Sequence, residues 1–227
     1  MDSFPDKEIM NIRTLTATED LEKFRTITAT YIDVLFPLDY LQQSKVVVCS
    51  LPSGEFCGGY MLVPQGKLPL RVLDSIPNKD FAKIETDLSN VAEITGLWLD
   101  SKKANTTFCS IIFWFKLYLD LATSKYDGFV YAYTLKKKNL GKIYATFGPT
   151  SLFEGATKQL DGMEQPEMEA VEYIAKKKVR FAIFKHFSFL SRRFDVAFKR
   201  ICRNKFFLLK PIRFSYVVLC KIIPFPR

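Results

Sequence analysis

Histidine is almost missing from this chain: His186 is the single one in 227 residues. The five cysteines, Cys49, Cys57, Cys109, Cys202 and Cys220, include no C-x-x-C pair. With no closely spaced His/Cys set, no metal site is expected. A Cys–His nucleophile pair would have to draw its base from a distant phenylalanine-rich segment, so that chemistry is poorly supported. An odd number of thiols without a framework spacing fits a reducing, cytoplasmic compartment. The opening "MDSFPDKEIMNIR" is acidic and has no apolar core segment, so no secretory leader is expected there. Nor does any run reach the ~18 uncharged apolar residues of a spanning helix. "FFLLKPIRFSYVVLCKIIPF" comes nearest and is cut by Lys210, Pro211, Arg213 and Lys221. Internal repeats and low-complexity segments are absent as well.

Apolar residues make up 48% of the chain, enough for a sizeable core, and 21 of them are phenylalanine. The net charge of +9 is unevenly spread. From Lys176 onward there are 15 Lys and Arg against one acid, Asp195, a balance of +14; residues 1–175 hold 18 bases and 23 acids. This divides the chain into a mildly acidic body, 1–175, and a basic, Phe-rich tail, 176–227. Such a tail suits phosphate, an anionic membrane or an acidic protein; the plain alternative is a solubilising charge run.

"NIRTLTA" reads as a strand. Thr16 and Glu19 form a capping-box pattern, and Leu21, Phe24, Ile27, Tyr31 and Leu35 follow at helical spacing, predicting about five amphipathic turns. Residues 45–65 read as a hairpin turned at "SGE", and "NVAEITGLWL" as a further strand compatible with it. Residues 105–123 form a helix apolar on nearly every face, expected to be buried on most sides. "DGFVYAYTL" is a strand, and "KKNLGKIYATFG" a short helix ended by Gly148 and Pro149. "SLFEGATKQL" and "EMEAVEYIA" are two last strands, the second also compatible with a helix. This order predicts an α/β fold on one partly antiparallel sheet. In the tail, Phe181, Phe184, Phe187, Leu190, Phe194, Phe198 and Ile201 follow a helical stripe, with Lys185, Arg192, Arg193, Lys199 and Arg200 mainly off it.

Several segments together resemble the GNAT superfamily of N-acetyltransferases. Residues 45–100 are more specifically similar to acyl-homoserine-lactone (autoinducer) synthases and N-acyl amino acid synthases. Those families carry a G-x-V/F-x-G-x-x-R-L-x-P hairpin, a P-x-x-L stretch and a strand reading E-L/I-S-R-F/L-x-V. Here the counterparts are "GEFCGGYMLVP" at 54–64, "PLRVL" at 69–73 and "EITGLWL" at 93–99. The glycines, the proline and Glu93 match, whereas Met61 and Gly96 stand where those synthases have arginine. "YATFG" at 144–148 is similar to a Y-E-K-x-G segment of the wider superfamily. "SKKANTTF" replaces its Q/R-x-x-G-x-G/A pyrophosphate loop.

The resemblance implies a GNAT-like mixed central sheet flanked by helices, with the basic helical C-terminal extension added to it. It also implies an N-acyltransferase moving an acyl group from a pantetheine thioester to the amine of a small molecule. No permanently bound cofactor is implied; acyl-CoA or an acyl carrier protein is the co-substrate. Strand 93–99 would splay from strand 128–135. Its Leu97, Trp98 and Leu99 backbone would then pair with the pantetheine amides and face the thioester oxygen. Turn 101–107 would receive phosphate at a helix N-terminus, through Lys102, Lys103, Asn105, Thr106 and Thr107; its alternative is an ordinary N-cap at Asn105 or Thr106. Glu93, flanked by Val91, Ala92 and Ile94, is the candidate base, desolvation raising its pKa into use. Its alternative is a solvent-facing position on the strand. Tyr144 would protonate the leaving thiolate or simply pack in its helix.

The absent glycine-rich loop weakens the case for CoA, the likeness to synthases that use acyl carrier protein favours the carrier, and Lys102, Lys103, Lys136, Lys137 and Lys138 would form a rim for that acidic partner. The tail fits an interfacial helix on an anionic bilayer, which would place a cytoplasmic protein on the inner membrane face. A helical cap on the body is the alternative. Nucleic acid is disfavoured, because the aromatic residues run in a helical stripe and no nucleic-acid motif is present. The two missing arginines and the altered loop also keep a second function open, a non-catalytic binding or regulatory module of the same fold.

Overall fold

The computed structural model describes residues 10–65, 70–77, 81–100, 102–103, 107–136, 141, 144–145, 147–159, 162 and 168–182. Among these residues, seven strands form one sheet: β1 (Asn11–Leu15), β2 (Lys45–Ser50), β3 (Phe56–Pro64), β4 (Val91–Leu99), β5 (Gly128–Thr134), β6 (Thr150–Ala156) and β7 (Met168–Ala175). Their spatial order is β1-β2-β3-β4-β5-β7-β6. Every neighbouring pair is antiparallel except β4 and β5. "EMEAVEYIA" is therefore a strand, and the helical alternative for it falls away.

Strand alternation divides the core into two layers. Val46 and Val48 of β2 face α1 (Thr18–Ile32), where they meet Leu21 and Phe24. Val47 and Cys49 face the other side, with Phe113, Leu117 and Leu121 of α4 (Thr107–Thr123). Two short helices, α2 (Leu38–Gln42) and α3 (Arg71–Asp74), complete the α1 layer.

Three sequence expectations need correction. Thr16 and Glu19 do not form a capping box, because α1 starts at Thr18 with Ala17 as its N-cap and no side-chain cap bond. Asp20 in the first turn is held instead by Arg13 at 2.8 Å. The helix ends at Ile32, four residues later Phe36 re-enters the core, and Leu35 is exposed. Finally, α4 is not buried on most sides: Phe115 and Leu119 point outward, at 43% and 36% exposure. One face of α4 suffices to cover the sheet, so its all-round apolarity exceeds what the described core uses.

Residues 176–182 continue β7 as helix. Val179 and Ala182 are buried, while Phe181 is 72% exposed. Tyr118 of α4 donates to the Val179 carbonyl at 2.5 Å, and Arg180 Nε donates to the Ala122 carbonyl at 3.1 Å. The rest of the tail stripe lies outside the described residues. No helix among the described residues is long and apolar enough to cross a membrane.

Gly96 reverses the alternation along β4. Ala92 and Ile94 belong to the α4 layer, so an unbroken strand would place Trp98 there too. Trp98 lies in the α1 layer instead, its ring 4.4 Å from that of Tyr31 and its Nε1–H donating to Thr28 Oγ1 at 2.8 Å. The β3 register jumps from Thr95↔Met61 to Trp98↔Gly59, so Gly96 and Leu97 together oppose Tyr60. Gly96 takes φ 61°, the left-handed conformation that such a bulge uses. Gly96→Ala is expected to lower stability by roughly 1–2 kcal/mol, from that φ alone. A Cβ would also meet Met61 Cγ at 3.3 Å. Urea unfolding of the variant, with an unchanged m-value, would check this.

Candidate active site

The β4–β5 pairing is brief. Val91, Ala92 and Glu93 pair with Gly128, Phe129 and Val130, and no further rungs form. β5 goes on pairing with β7 through Thr134, and β4 with β3 through Leu99. The two central strands therefore part after Glu93. On the side away from β3, the β4 backbone has no strand partner from Ile94 onward among the described residues. A cavity of about 290 Å³ lies at this opening, lined by Glu93 to Leu97 of β4, Ala132 to Thr134 of β5, the end of α1, Arg71 and Val72 of α3, and Tyr144.

Glu93 is 2% exposed, so its solvent-facing alternative is excluded. It shares the α1-side layer with Val91, and the Val72 amide donates to its Oε2 at 3.0 Å. That amide is delivered by α3, which is anchored by the buried Leu70, Val72 and Leu73. Burial pushes the Glu93 carboxyl above its ordinary range. The Val72 amide oppose this most strongly, followed by Tyr40, the Arg71 charge and Thr95.

Tyr144 is buried on the other side of the sheet, in the α4 layer. Its ring lies 4.3 Å from Tyr131 and 5.8 Å from Tyr133. Both of those tyrosines donate to Glu172, at 2.6 and 3.2 Å. Burial raises the Tyr144 phenol above its ordinary range, with the Glu172 charge and Tyr133 adding to the effect. Tyr144 is thus a protonated donor at neutral pH. Glu93 and Tyr144 belong to opposite layers, yet both line one cavity, because the sheet is open between them.

The remaining candidates divide. Leu97 lines the cavity. Trp98 and Leu99 do not: Trp98 packs on Tyr31, and Leu99 pairs with Gly58. In the turn, the amides of Lys102 and Lys103 both donate to Asp100 Oδ1, at 2.9 and 3.2 Å. The Lys103 ammonium pairs with Glu55 at 2.9 Å. A carboxylate of the chain itself thus occupies the donors that a phosphate would use. Thr107 is the first residue of α4, while Asn105 and Thr106 lie outside the described residues. Lys136 lines the cavity; Lys137 and Lys138 lie outside the described residues. Cys57 is buried beside Cys49 under α4, away from this lining.

Sequence reading missed Arg71, Asp33 and Glu169, which bring charge to the same cavity. Arg71 was visible inside "PLRVL", but nothing in that motif signals that α3 turns it toward Glu93. Among the described residues, no group of three or more His, Cys, Asp and Glu is placed to hold a metal.

No protein-family model matches this sequence, and no curated protein matches it. Solved structures do. FeeM, an N-acyl amino acid synthase from uncultured soil microbes, is 15% identical with a TM-score of 0.58, covering 78% of this chain and 98% of its own. An N-acetyltransferase from Staphylococcus aureus Mu50 is 10% identical with a TM-score of 0.50, covering 74% of this chain and 99% of its own. These likenesses give the chain the GNAT fold: a mixed sheet flanked by helices, with its two central strands splayed.

Proposed function

We propose that this GNAT-fold chain is an N-acyltransferase that moves an acyl group from a pantetheine thioester to a small-molecule amine. The observation that carries this is the convergence of Glu93 and Tyr144, from opposite layers, on the cavity where β4 and β5 part. Glu93, as carboxylate, takes a proton from the bound ammonium. The freed amine nitrogen attacks the thioester carbonyl, and an unpaired β4 amide beyond Glu93 stabilises the oxyanion. The C–N bond forms, the C–S bond breaks and the sulfur leaves as thiolate, while the nitrogen gives its second surplus proton to solvent and becomes the amide N–H.

Tyr144 faces that sulfur as a hydrogen-bond donor. Full proton transfer from it is uphill, because a thiol pKa near ~8.5 lies well below that of a buried phenol. The thiolate then acquires its proton from solvent on release. Tyr144→Phe should therefore lower kcat by roughly 10- to 100-fold, the worth of one hydrogen bond to a charged group, with KM little changed. A larger loss would assign Tyr144 the proton itself.

An acyl carrier protein suits this chain better than CoA as the donor. Asp100 occupies the amides of Lys102 and Lys103, which weakens the turn as a pyrophosphate site. Lys102 and Lys136 still bring positive charge for an acidic carrier.

The rival reading is a non-catalytic module of the same fold, favoured by Met61 and Gly96 at the positions that are arginine in the synthases. The separating experiment incubates the purified chain with acyl-CoA or acyl carrier protein and a panel of amines. Thiol release and new amide mass are both measured. Thioester-dependent amide formation supports the enzyme. Thioester binding with no thiol release, in wild type and Glu93→Gln alike, supports the module.

A further inference from the structure

The hydroxyl of Tyr40 is the one fully buried side-chain polar atom without a hydrogen-bond partner among the described residues. Tyr40 is 2% exposed and sits on α2. Its ring is fixed: Phe36 stacks on it at 6.0 Å, and the Arg71 guanidinium lies over it at 5.7 Å. The adjoining backbone is fixed as well, since Ser44 Oγ donates to the Tyr40 carbonyl at 2.6 Å. Arg71, over the Tyr40 ring, and Val72, whose amide donates to Glu93, are adjacent residues of α3, so α3 brings Tyr40 to the Glu93 side of the site, where its hydroxyl makes no formed hydrogen bond. A buried donor left unpaired costs stability, so its retention beside a carboxylate calls for a partner in another state of the site.

Ionised Glu93 is that partner. A carboxylate only accepts, and it offers about four lone-pair positions, whereas the Val72 amide serves Oε2 alone. We propose that Tyr40 is a positioning residue for Glu93: its hydroxyl closes onto the carboxylate when Glu93 ionises and holds it in the proton-accepting form. The inference rests on the acyl-transfer reading for its purpose. Arg71 supports the anion from the same side. The same cavity is lined by Asp33, Lys136, Glu169 and the tyrosines Tyr133 and Tyr144. All of these remain in place in Tyr40→Phe, so that variant isolates the one hydroxyl.

The test is a pH titration of the full chain labelled with ¹³C at glutamate carboxyls, with Glu93 assigned by its loss in Glu93→Gln. In Tyr40→Phe the Glu93 midpoint should move up by about one to two units, the worth of a hydrogen bond to a charged group. The acid limb of kcat/KM should move with it while the plateau rate holds. An unmoved midpoint overturns the proposal. Should Tyr40→Phe fail to fold, wild-type chain labelled at tyrosine Cζ answers instead. The Tyr40 resonance must then shift with the Glu93 midpoint, and a flat Tyr40 signal overturns the proposal. The titration needs no turnover, so it is separable from the function reading, which fails if Glu93→Gln retains full activity.

Discussion

Glu93→Gln is expected to lower kcat by about 10²- to 10⁴-fold, the usual contribution of a positioned base, while making the folded protein more stable at neutral pH. Both effects have one cause. The carboxyl is 2% exposed, and burial raises its pKa from the ordinary 4.5. A carboxyl with a raised folded-state pKa binds its proton more tightly folded than unfolded. Its favourable contribution is complete below 4.5 and is lost as pH rises through the folded value. Wild type therefore loses stability across that window, and the glutamine variant, which does not titrate, does not. The two melting curves should coincide near pH 4 and separate with rising pH, the variant melting higher. Residue loss through misfolding would instead lower activity and melting temperature together. A thermal melt series and steady-state kinetics on the same preparations distinguish the two.

Phe24→Ala carries the largest expected cost in stability, about 3–5 kcal/mol. The ring is fully buried between α1 and the sheet. Gly59 of β3 leaves it room: a Cβ there would lie 2.5 Å from Phe24 Cε2. Removing the ring empties the contact that docks α1. The same helix stacks Tyr31 on Trp98 and ends at Ile32, which with the following Asp33 and Val34 lies on the cavity wall. Urea unfolding should show the unfolding free energy fall by a large part of a typical domain's ~5–15 kcal/mol. A change under about 1 kcal/mol would mean that α1 is held chiefly elsewhere.

Much of the fold was legible because its signals are local. The β-branched run "KVVVCS", the turn after it and the apolar "FVYAY" each declare a strand without reference to the rest of the chain. The splay of β4 from β5 came from the resemblance and not from periodicity. The site was legible only in part. Glu93 could be picked out as a charge within an apolar run, but whether it faced solvent depended on α3 packing over it, a contact between segments far apart in sequence. Gly96 looked like a lost arginine; its φ of 61° shows a conformational reason, since the bulge there carries Trp98 to the opposite layer. The turn after β4 read as phosphate-friendly because lysines and small polar residues attract the eye. Asp100, one residue earlier, claims two of its amides. The capping box failed for a similar reason: the pattern T-x-x-E is short, and Arg13 on a neighbouring strand engages Asp20 instead.

The central claim is that the opening between β4 and β5 is where a thioester meets an amine. A crystal structure with a non-reactive thioether analogue of an acyl-pantetheine tests it most directly. The predicted result has the pantetheine arm along β4 beyond Glu93, taking the place of the missing strand partner. Its sulfur would lie within hydrogen-bonding reach of the Tyr144 hydroxyl, with Glu93 facing the acyl carbon from the α1 side. An analogue bound at any other surface, or a sulfur separated from Glu93 by closed sheet, would contradict the account.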